Sequence, residues 1–305
     1  MSERVAYDEF SYLADNAAEF GLPAVDDVAV RRTFVDLEDG RRLSALVWGT
    51  GEPELVLVHG GAQNAHTWDT VALALGRPLI AVDLPGHGHS DGPGVDGVLS
   101  IESNAADVAV TIRMLAPEAA TVVGMSLGGL TSIALSGTAP ELVRSLVLVD
   151  ITPGVSREKS SAISNFVNGP ASFPSFDDIL ARTVEHNPTR TVSSLRRGIL
   201  HNAVQLDDGS WVWRYRRHAA GGLGDGRPLM PDYGRLWDVI SGLQVPVMLV
   251  RGMLAQSVVD DADEAELRRR LATARVVHIA NAGHSVQGDT PVELARLLTD
   301  FTRPR

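Results

Sequence analysis

The chain contains a serine whose neighbours are typical of a catalytic nucleophile. Residues 124–128 read Gly-Met-Ser-Leu-Gly and lie between a short apolar run and a helical pattern. This G-x-S-x-G motif is therefore in the strand–turn–helix context in which a nucleophilic serine occurs. The glycines allow close approach through a strained turn, which lifts the Ser126 hydroxyl out of the sheet. The same turn places the Leu127 N–H at a helix N-terminus, where it can stabilise an oxyanion. The alternative is a glycine-rich turn in which Ser126 only caps the helix.

A second glycine-rich turn can complete the oxyanion site. Residues 59–61 read His-Gly-Gly and follow another short apolar run. A flexible turn after an early strand can present a further backbone N–H, and we predict that it is the N–H of Gly61. The side-chain amide of Gln63 or Asn64 is a candidate to assist. His59 itself is predicted to stabilise the turn rather than to take part in catalysis.

A histidine near the end of the chain is placed to act as a general base. His284 lies in the loop Asn281–Ser285, after the last predicted strand and before the last predicted helix. It follows Ser126 in chain order, and a loop histidine at this point can take the proton of a serine hydroxyl. Ser126 and His284 together therefore predict nucleophilic catalysis.

Short apolar runs that alternate with helical patterns position these residues. Because the runs are continuously apolar, they predict strands covered on both faces, as in a parallel sheet. The predicted strands are Leu55–Val58, Pro78–Val82, Thr121–Val123, Leu146–Val149, Val245–Val250 and Val276–Ile279, after a hairpin of Val30–Leu37 and Leu43–Trp48. The predicted helices are Ala65–Leu75, Ile101–Leu115, Leu127–Ala139, Asp263–Leu271 and Pro291–Phe301. This alternation predicts an α/β fold in which helices flank a mostly parallel sheet.

The pattern divides the chain into an arm, a core and an insertion. Within residues 1–25, apolar residues recur at helical spacing from Val5 to Ala17, which predicts an N-terminal helical arm. The core is predicted to comprise residues 26–152 and 244–305. Residues 153–243 break the alternation, and a structureless loop of that length is uncommon inside a compact domain. We therefore predict an inserted, mainly helical lid.

Aromatic residues of the insertion are candidates to contact substrate. From Trp211 to Tyr215, aromatic residues alternate with other residue types, a period of two. Trp211 and Trp213 are therefore candidates to line a substrate pocket, although a place in the lid core explains the pattern equally well. Nearby basic residues can receive an anionic substrate group or form a solvated face. These basic residues are Arg214, Arg216, Arg217 and His218.

Composition excludes several other classes of function. Hydrophobic residues make up 44% and charged residues 21% of the 305 residues, as in an ordinary folded domain. The 27 basic and 38 acidic residues give a formal charge of −11, which disfavours binding to nucleic acid or to an anionic membrane. The absence of cysteine excludes thiolate nucleophiles, disulfides and cysteine-ligated metals.

The sequence predicts no cofactor and no metal. It has no G-x-G-x-x-G after its first strand and no P-loop, so nucleotide binding lacks support. His87 and His89 lie on a glycine-rich loop, and no Asp/His cluster elsewhere in the sequence completes a metal site. Neither a signal peptide nor an apolar run of membrane-spanning length is present, which predicts a cytoplasmic protein. The expected partner is a small-molecule substrate, and a homo-oligomer is left open.

Four motifs, taken together, resemble the α/β-hydrolase superfamily in its lidded branch of esterases, lactonases, carbon–carbon bond hydrolases and peptidases. They match that pattern in order and spacing, and the resemblance runs from Thr33 to Phe301. The motifs are His59-Gly60-Gly61, the segment Asp83–Ser90, the segment Gly124–Gly129 and Gly283-His284-Ser285. The resemblance implies an α/β-hydrolase fold with an inserted lid, a triad of serine, histidine and an acid, and an oxyanion hole.

The triad acid departs from the commonest pattern of this family. In that pattern an aspartate lies a few residues after the strand that here spans Val245–Val250, but residues 251–257 contain no carboxylate. The resemblance therefore favours Asp150, at the end of the preceding predicted strand, since some branches place the acid there. The Asp260–Asp263 cluster is better explained as a cap of the next helix. Two alternatives stay open: the acid lies in that cluster, or no acid completes the site.

These residues predict a serine hydrolase that cleaves a small, hydrophobic carboxylic ester, lactone or thioester through an acyl-enzyme on Ser126. A serine at this position argues against epoxide hydrolases and haloalkane dehalogenases, which use a carboxylate nucleophile. One alternative is a carbon–carbon bond hydrolase that acts on diketone-like substrates with the same Ser126 and His284. Another is a ligand-binding or accessory protein on a hydrolase scaffold, for which the missing acid after Val245–Val250 is the only support.

Overall fold

The computed structural model of the protein describes residues 5–25, 28–93, 99–215 and 232–303. In chain order, its strands are β1 (Val30–Asp36), β2 (Arg42–Trp48), β3 (Leu55–Val58), β4 (Leu79–Val82), β5 (Thr121–Met125), β6 (Leu146–Val149), β7 (Ser172–Phe173), β8 (Ala203–Gln205), β9 (Trp211–Trp213), β10 (Val247–Gly252) and β11 (Arg275–Ile279). Its α-helices are α1 (Leu13–Glu19), α2 (Asp69–Leu75), α3 (Ile101–Leu115), α4 (Leu127–Thr138), α5 (Ser161–Val167), α6 (Phe176–His186), α7 (Val192–Asn202), α8 (Leu236–Gly242), α9 (Asp261–Arg270), α10 (Val286–Asp289) and α11 (Pro291–Phe301). Within these four ranges, no helix is both long and apolar enough to cross a membrane.

One central sheet contains eight of the described strands, in the order β1-β2-β4-β3-β5-β6-β10-β11. Strand β2 pairs antiparallel with both β1 and β4, and every other neighbouring pair of this sheet is parallel. The predicted α/β fold with a mostly parallel sheet is therefore confirmed. Because parallel strands end at the same edge of a sheet, the loops that follow β3, β5, β6, β10 and β11 lie side by side.

Alternate residues of the central strands contact two separate hydrophobic cores. In β3, Leu55 and Leu57 belong to the core that includes residues of α2 and α11, whereas Val56 and Val58 belong to the core that includes residues of α3 and α4. All four side chains are completely buried. Coverage on both faces explains why these strands are continuously apolar in sequence, and it fixes the strand ends that carry the candidate site residues.

Two predicted boundaries shift for local chemical reasons. The strand predicted from Val245 begins at Val247, since Pro246 has no N–H to donate to the strand ladder. The helix predicted from Asp263 begins two residues earlier, because the Asp260 side chain accepts a hydrogen bond from the Asp263 N–H and caps the helix at Asp260.

Between β6 and β10, residues 161–213 form a cap over the sheet edge. In its described part, α5 to α7 pack with a three-stranded antiparallel sheet in the order β7-β9-β8, so the cap is less purely helical than predicted. Phe173, Ile179 and Ile199 form a small hydrophobic core of its own. Helix α8, which the predicted boundary assigns to the lid, packs on α4, and its Trp237 and Ile240 belong to a core of the main sheet.

The N-terminal arm contains a shorter helix than its pattern predicts, because residues 5–12 form turns and irregular backbone before α1. Charged residues of the arm pair with the core and with the cap. Glu9 Oε2 lies 2.7 Å from Arg32 Nη2 and 3.2 Å from His66 Nε2 in the core. Glu19 forms an ion pair with Arg197 of the cap helix α7. The arm therefore ties the cap to the core.

His66 is the titratable centre of this junction. Its Nδ1 lies 2.8 Å from an Asp69 carboxylate oxygen, its Nε2 is near Glu9 and Arg32, and its ring stacks on that of His201. Burial alone would lower the pKa of His66. The carboxylates of Asp69 and Glu9 outweigh burial and the Arg32 charge, and they raise the pKa of His66 to about 9. His66 is therefore protonated at neutral pH.

We expect the raised pKa of His66 to appear in the pH dependence of stability. An unfolded histidine has a pKa of about 6.5, so the stabilising contribution is complete below that value and is lost as the pH rises to about 9. Across this window the free energy of unfolding should fall by on the order of 2 kcal/mol more in the parent than in His66→Gln. Urea unfolding at the two ends of the window measures this difference. Equal losses in both proteins would contradict the assignment.

Candidate active site

Ser126 lies in a strained turn between β5 and α4. Its backbone has φ 50° and ψ −118°, a conformation that residues with a side chain rarely adopt. A Cβ atom at Gly124 would lie 2.5 Å from the carbonyl oxygen of Gly128, and one at Gly128 would overlap the carbonyl oxygen of Val58. Both glycines are therefore needed for the close approach of strand and helix that the sequence predicts.

Two backbone N–H groups near Ser126 have no hydrogen-bond acceptor in the described part of the chain. They belong to Leu127, the first residue of α4, and to Gly61 in the loop after β3. The two residues are neighbours, because a Cβ atom at Gly61 would lie 3.8 Å from Leu127 Cδ2. The next amide, that of Ala62, donates instead to His87 Nε2 at 3.2 Å. The two free donors are the pair that the sequence predicts for an oxyanion.

Polar side chains hold the loop that carries Gly61. Gln63 Oε1 accepts a hydrogen bond from the Gly60 N–H at 3.1 Å. The Asn64 side-chain amide donates to the Asn202 side chain of the cap at 3.2 Å. This contact directs Asn64 to the cap and corrects the expectation that its amide assists the oxyanion.

His59 stabilises the turn after β3, as predicted. It is completely buried, its Nε2 accepts a hydrogen bond from the Leu84 N–H at 2.9 Å, and its Nδ1 donates to the Gly60 carbonyl at 2.7 Å. Because both ring nitrogens are occupied, His59 has no free lone pair with which to take a proton from a nucleophile.

Asp150 lies within hydrogen-bond distance of His284. Its Oδ2 accepts a hydrogen bond from His284 Nδ1 at 2.9 Å, and the Asp150 side chain is completely buried. The alternative acid Asp260 accepts the Asp263 N–H at the start of α9 and pairs with Lys159 at 2.8 Å. Of the alternatives that the sequence leaves open, the geometry therefore supports Asp150.

The last residue of β10 and the loop after it supply hydrogen-bond donors to Asp150 in place of an acid. Oδ1 of Asp150 accepts from the Gly252 N–H at 2.9 Å and from the Ser257 hydroxyl at 2.6 Å. Oδ2 also accepts from the Val258 N–H at 3.0 Å. Together with His284, these donors surround a carboxylate, which can only accept. Ser257 is a site residue that the motifs do not predict, and the one signal for it in the sequence is a hydroxyl in the loop where the usual acid is absent.

Ser126 and His284 line one cavity of about 300 Å³ between the sheet edge and the cap, here called the first cavity. Among the described residues no hydrogen bond joins the Ser126 hydroxyl to His284, and such contacts often tighten only when substrate is bound. On the cap side, Ile163, Phe166 and Val167 form an apolar part of the wall. Polar residues of the cap line another part; these are His186, Asn187 and Thr189. The first cavity therefore combines a polar reacting edge with a hydrophobic wall.

The predicted aromatic residues of the cap occupy different surroundings. Trp211 is buried in the cap core, with its ring 5.0 Å from the Phe176 ring, which corrects the expectation that it contacts substrate. Trp213 lines a second cavity next to the first. Tyr215, which is not among the predicted substrate contacts, lines the first cavity. The alternation of aromatic residues with a period of two predicted a strand, but it did not predict which of these aromatic side chains line a cavity.

Of the basic residues considered as anion receptors, the structure describes Arg214, which does not line the first cavity. Arg216, Arg217 and His218 lie outside the described residues. The Arg214 guanidinium lies 5.6 Å from the Tyr7 ring centroid, so it packs against the N-terminal arm.

Three buried side chains that are distant in sequence from one another or on different elements form a cluster that no sequence motif predicts. His66, Asp69 and His201 each place one potential metal-ligand atom within 4.8 Å of the others. However, the raised pKa keeps His66 protonated, and its two ring nitrogens lie within hydrogen-bond distance of Asp69 and Glu9. A protonated ring has no lone pair for a metal. At neutral pH the cluster therefore fits an ion-paired junction better than a metal site.

The sequence matches a known family over most of its length. The family described as alpha/beta hydrolase fold matches residues 53–291. The chain belongs to the α/β-hydrolase fold family. This membership confirms the resemblance of the four motifs and agrees with the strained serine turn at the edge of a mostly parallel sheet.

The chain is also similar to individual α/β hydrolases. It is 43% identical over 312 residues to the esterase Rv0045c of Mycobacterium tuberculosis, with 98% of each chain covered. It is 32% identical to the pimeloyl-[acyl-carrier protein] methyl ester esterase of Sodalis glossinidius, over 85% of this chain and 98% of that enzyme. A solved structure of the M. tuberculosis esterase matches with a TM-score of 0.83 at 42% identity, over 97% of this chain and 99% of that one.

Removal of the Ser257 hydroxyl should slow the reaction without weakening substrate binding. Ser257→Ala takes one charge-assisted hydrogen bond from Asp150, so the carboxylate holds His284 less firmly. We expect kcat for a p-nitrophenyl ester to fall about 10-fold with KM within about twofold of the parental value. Ser257→Thr should restore most of the loss. Steady-state kinetics measure both constants, and a parental kcat in Ser257→Ala would rule out a positioning role.

Proposed function

We propose that this protein is a serine esterase that cleaves a small, hydrophobic carboxylic ester through an acyl-enzyme on Ser126. The observation that carries the proposal is the buried 2.9 Å hydrogen bond between Asp150 and His284, beside a cavity that Ser126 also lines. Similarity to the M. tuberculosis esterase and to the Sodalis methyl ester esterase supports the same class of reaction. Lactones and thioesters contain the same kind of reacting carbonyl and stay within the proposal.

In the proposed first step, His284 acts as the general base. Asp150 accepts the Nδ1–H of His284, which leaves the Nε2 lone pair free to take the Ser126 proton. The Ser126 oxygen then attacks the substrate carbonyl carbon. His284 becomes a cation at this point, and the buried Asp150 carboxylate stabilises that charge.

The attack places a negative charge on the carbonyl oxygen. The N–H groups of Leu127 and Gly61 are the proposed donors to this oxyanion, since neither has an acceptor within the described chain. A donor of this kind contributes about 3 kcal/mol to stabilisation of the transition state.

The tetrahedral intermediate then collapses to an acyl-enzyme. His284 gives its proton to the leaving alcohol, and the ester bond to that alcohol breaks while the acyl group stays on Ser126. A water molecule, activated by His284 in the same way, attacks the acyl-enzyme and releases the carboxylic acid. Ser126 regains its proton from His284.

The first cavity supports a small substrate with an apolar portion. Its volume of about 300 Å³ is at the lower end for small-molecule sites. The apolar wall formed by Ile163, Phe166 and Val167 can contact the hydrocarbon part of an acyl or alcohol group. A short aliphatic or small aromatic ester fits these dimensions.

The two alternative functions have less support. The ligand-binding alternative rested on a missing acid, and Asp150 lies 2.9 Å from His284. For the carbon–carbon bond hydrolase, no contact in the described site favours a diketone-like substrate over an ester.

The test measures hydrolysis of p-nitrophenyl esters of increasing acyl length by the parent and by Ser126→Ala and His284→Ala. Each variant should lose roughly 10³-fold or more in kcat, and a fluorophosphonate probe should label the parent at Ser126 only. Ser241→Ala and His278→Ala, at exposed positions on α8 and β11, should keep parental rates. A folded parent that neither reacts with the probe nor hydrolyses any ester would overturn the proposal.

A further inference from the structure

A second cavity of about 150 Å³ adjoins the first beneath the cap. The residues that line both cavities are Ala62, Gln63, Phe166, Asn187 and Ser285. A ligand whose reacting carbonyl lies beside Ser126 therefore has adjacent space into which another part of it can extend. The arm residues Asn16 and Phe20 line the second cavity on another side.

Arg190 brings an unpaired positive charge to the second cavity. It lies in the turn between α6 and α7 and lines this cavity. Its Nη2 donates to Ser194 Oγ at 2.5 Å, whereas its Nε is buried without an acceptor among the described residues. Burial lowers the pKa of Arg190, but a guanidinium stays protonated at neutral pH. A charge that has lost part of its hydration gains most from an opposite charge in the cavity.

Two carboxylates, those of Asp289 and Glu19, lie close enough for their charges to act on Arg190. Both already have other hydrogen-bond or ion-pair partners. Glu19 forms an ion pair with Arg197, the other arginine of this cavity. Asp289 accepts hydrogen bonds on both oxygens, from the Gly283 N–H and from a threonine hydroxyl, each at 2.8 Å. Neither forms an ion pair with Arg190 in the described chain, so the protein leaves this guanidinium without a direct counter-ion.

The guanidinium of Arg190 is held in position. It packs against Gly288, where a Cβ atom would lie 3.2 Å from Cζ and from Nη1, and the bond to Ser194 fixes its other end. The side-chain oxygen Oε1 of Gln287, which also lines the cavity, is a buried acceptor without a donor in the described residues. A preorganised cation and an unsatisfied polar atom in the lining of one cavity favour a polar ligand there over a hydrocarbon chain.

We infer that Arg190 binds a carboxylate of the substrate in the second cavity while Ser126 attacks the ester carbonyl in the first. Guanidinium groups bind carboxylates through their N–H donors. The Nε and Nη1 of Arg190 make no hydrogen bond within the described chain, so each can donate to a ligand carboxylate. The substrate class is then an ester that also carries a carboxylate, and a monoester of a dicarboxylic acid is the simplest member. This inference rests on the proposed esterase function and specifies its substrate.

The test compares monomethyl esters of the dicarboxylic acids from succinate to suberate with methyl esters of the monocarboxylic acids of equal chain length. Acid release is followed by pH-stat titration. At the chain length whose carboxylate reaches Arg190, kcat/KM of the parent should exceed that of the matching neutral ester by about 10-fold or more. The preference should fall at shorter and longer chains, because the carboxylate no longer meets the fixed guanidinium.

Three variants connect this preference to Arg190. In Arg190→Met, which keeps a long side chain without the charge, the ratio of kcat/KM between the charged and neutral esters should fall about 10-fold. Arg190→Lys should retain part of the ratio, since it keeps the charge and loses the planar fork. Arg196→Met is the matched control, because Arg196 is exposed on α7, lies over the Phe176 ring and should leave the ratio at its parental value.

A parent that hydrolyses neutral esters and shows no preference for a carboxylate at any chain length overturns this inference and leaves the esterase proposal intact. A parent inactive on both series overturns the esterase proposal itself. If Arg190→Met does not fold, inhibition of the parent by hexanoate and by hexanamide gives an independent test. If hexanoate inhibits the parent more strongly than hexanamide does, and this difference is smaller or absent in Arg190→Lys, the role of Arg190 is supported. Equal inhibition of the parent by the two compounds overturns it.

Discussion

The buried carboxylate of Asp150 is the group on which the rest of the site depends. It lies at the end of β6 and accepts hydrogen bonds from the Gly252 N–H at the end of β10, from the Val258 N–H after that strand and from His284 after β11. A buried charge is costly unless several donors surround it, so the loops after three strands must keep fixed relative positions. The parallel sheet makes these loops neighbours. The same requirement explains why the loop after β10 lacks an acid here: it donates hydrogen bonds to a carboxylate that the neighbouring strand supplies.

The cap and the arm convert this sheet edge into enclosed space. The cap supplies the apolar wall of the first cavity, and the arm pairs with the core at Arg32 and with the cap at Arg197. Two arginines that line the second cavity differ in whether they have a counter-ion. Arg197 is neutralised by Glu19 of the arm, whereas Arg190 has no such partner in the described chain. The ion pair between the arm and the cap therefore neutralises Arg197 and leaves Arg190 as the cation that is available to a ligand in the second cavity.

The sequence predicted the parts of the molecule that depend on local patterns. Continuous apolarity identified the central strands, and the G-x-S-x-G motif identified the turn at Ser126, because close packing at that turn requires its glycines. The place of Tyr215 in the first cavity could not be predicted, since it brings together segments that are distant in sequence. For Ser257 the one signal is a hydroxyl in the loop that lacks the usual acid, and its contact with Asp150 joins loops about a hundred residues apart. The aromatic alternation in the cap was too short to show that Trp211 faces the cap core. Family resemblance, rather than residue pattern alone, favoured Asp150 over the 260–263 cluster.

The most direct test of the central claim is the kcat of Asp150→Asn measured beside that of Asp260→Asn on one p-nitrophenyl ester, with circular dichroism to confirm that both are folded. Asp150→Asn should lose roughly 10³-fold, because His284 loses the charge that holds its tautomer and stabilises its protonated form. Asp260→Asn should stay within about twofold of the parent, since asparagine still caps α9. Near-parental activity in folded Asp150→Asn, with a large loss in Asp260→Asn, would show that the acid of this site lies elsewhere.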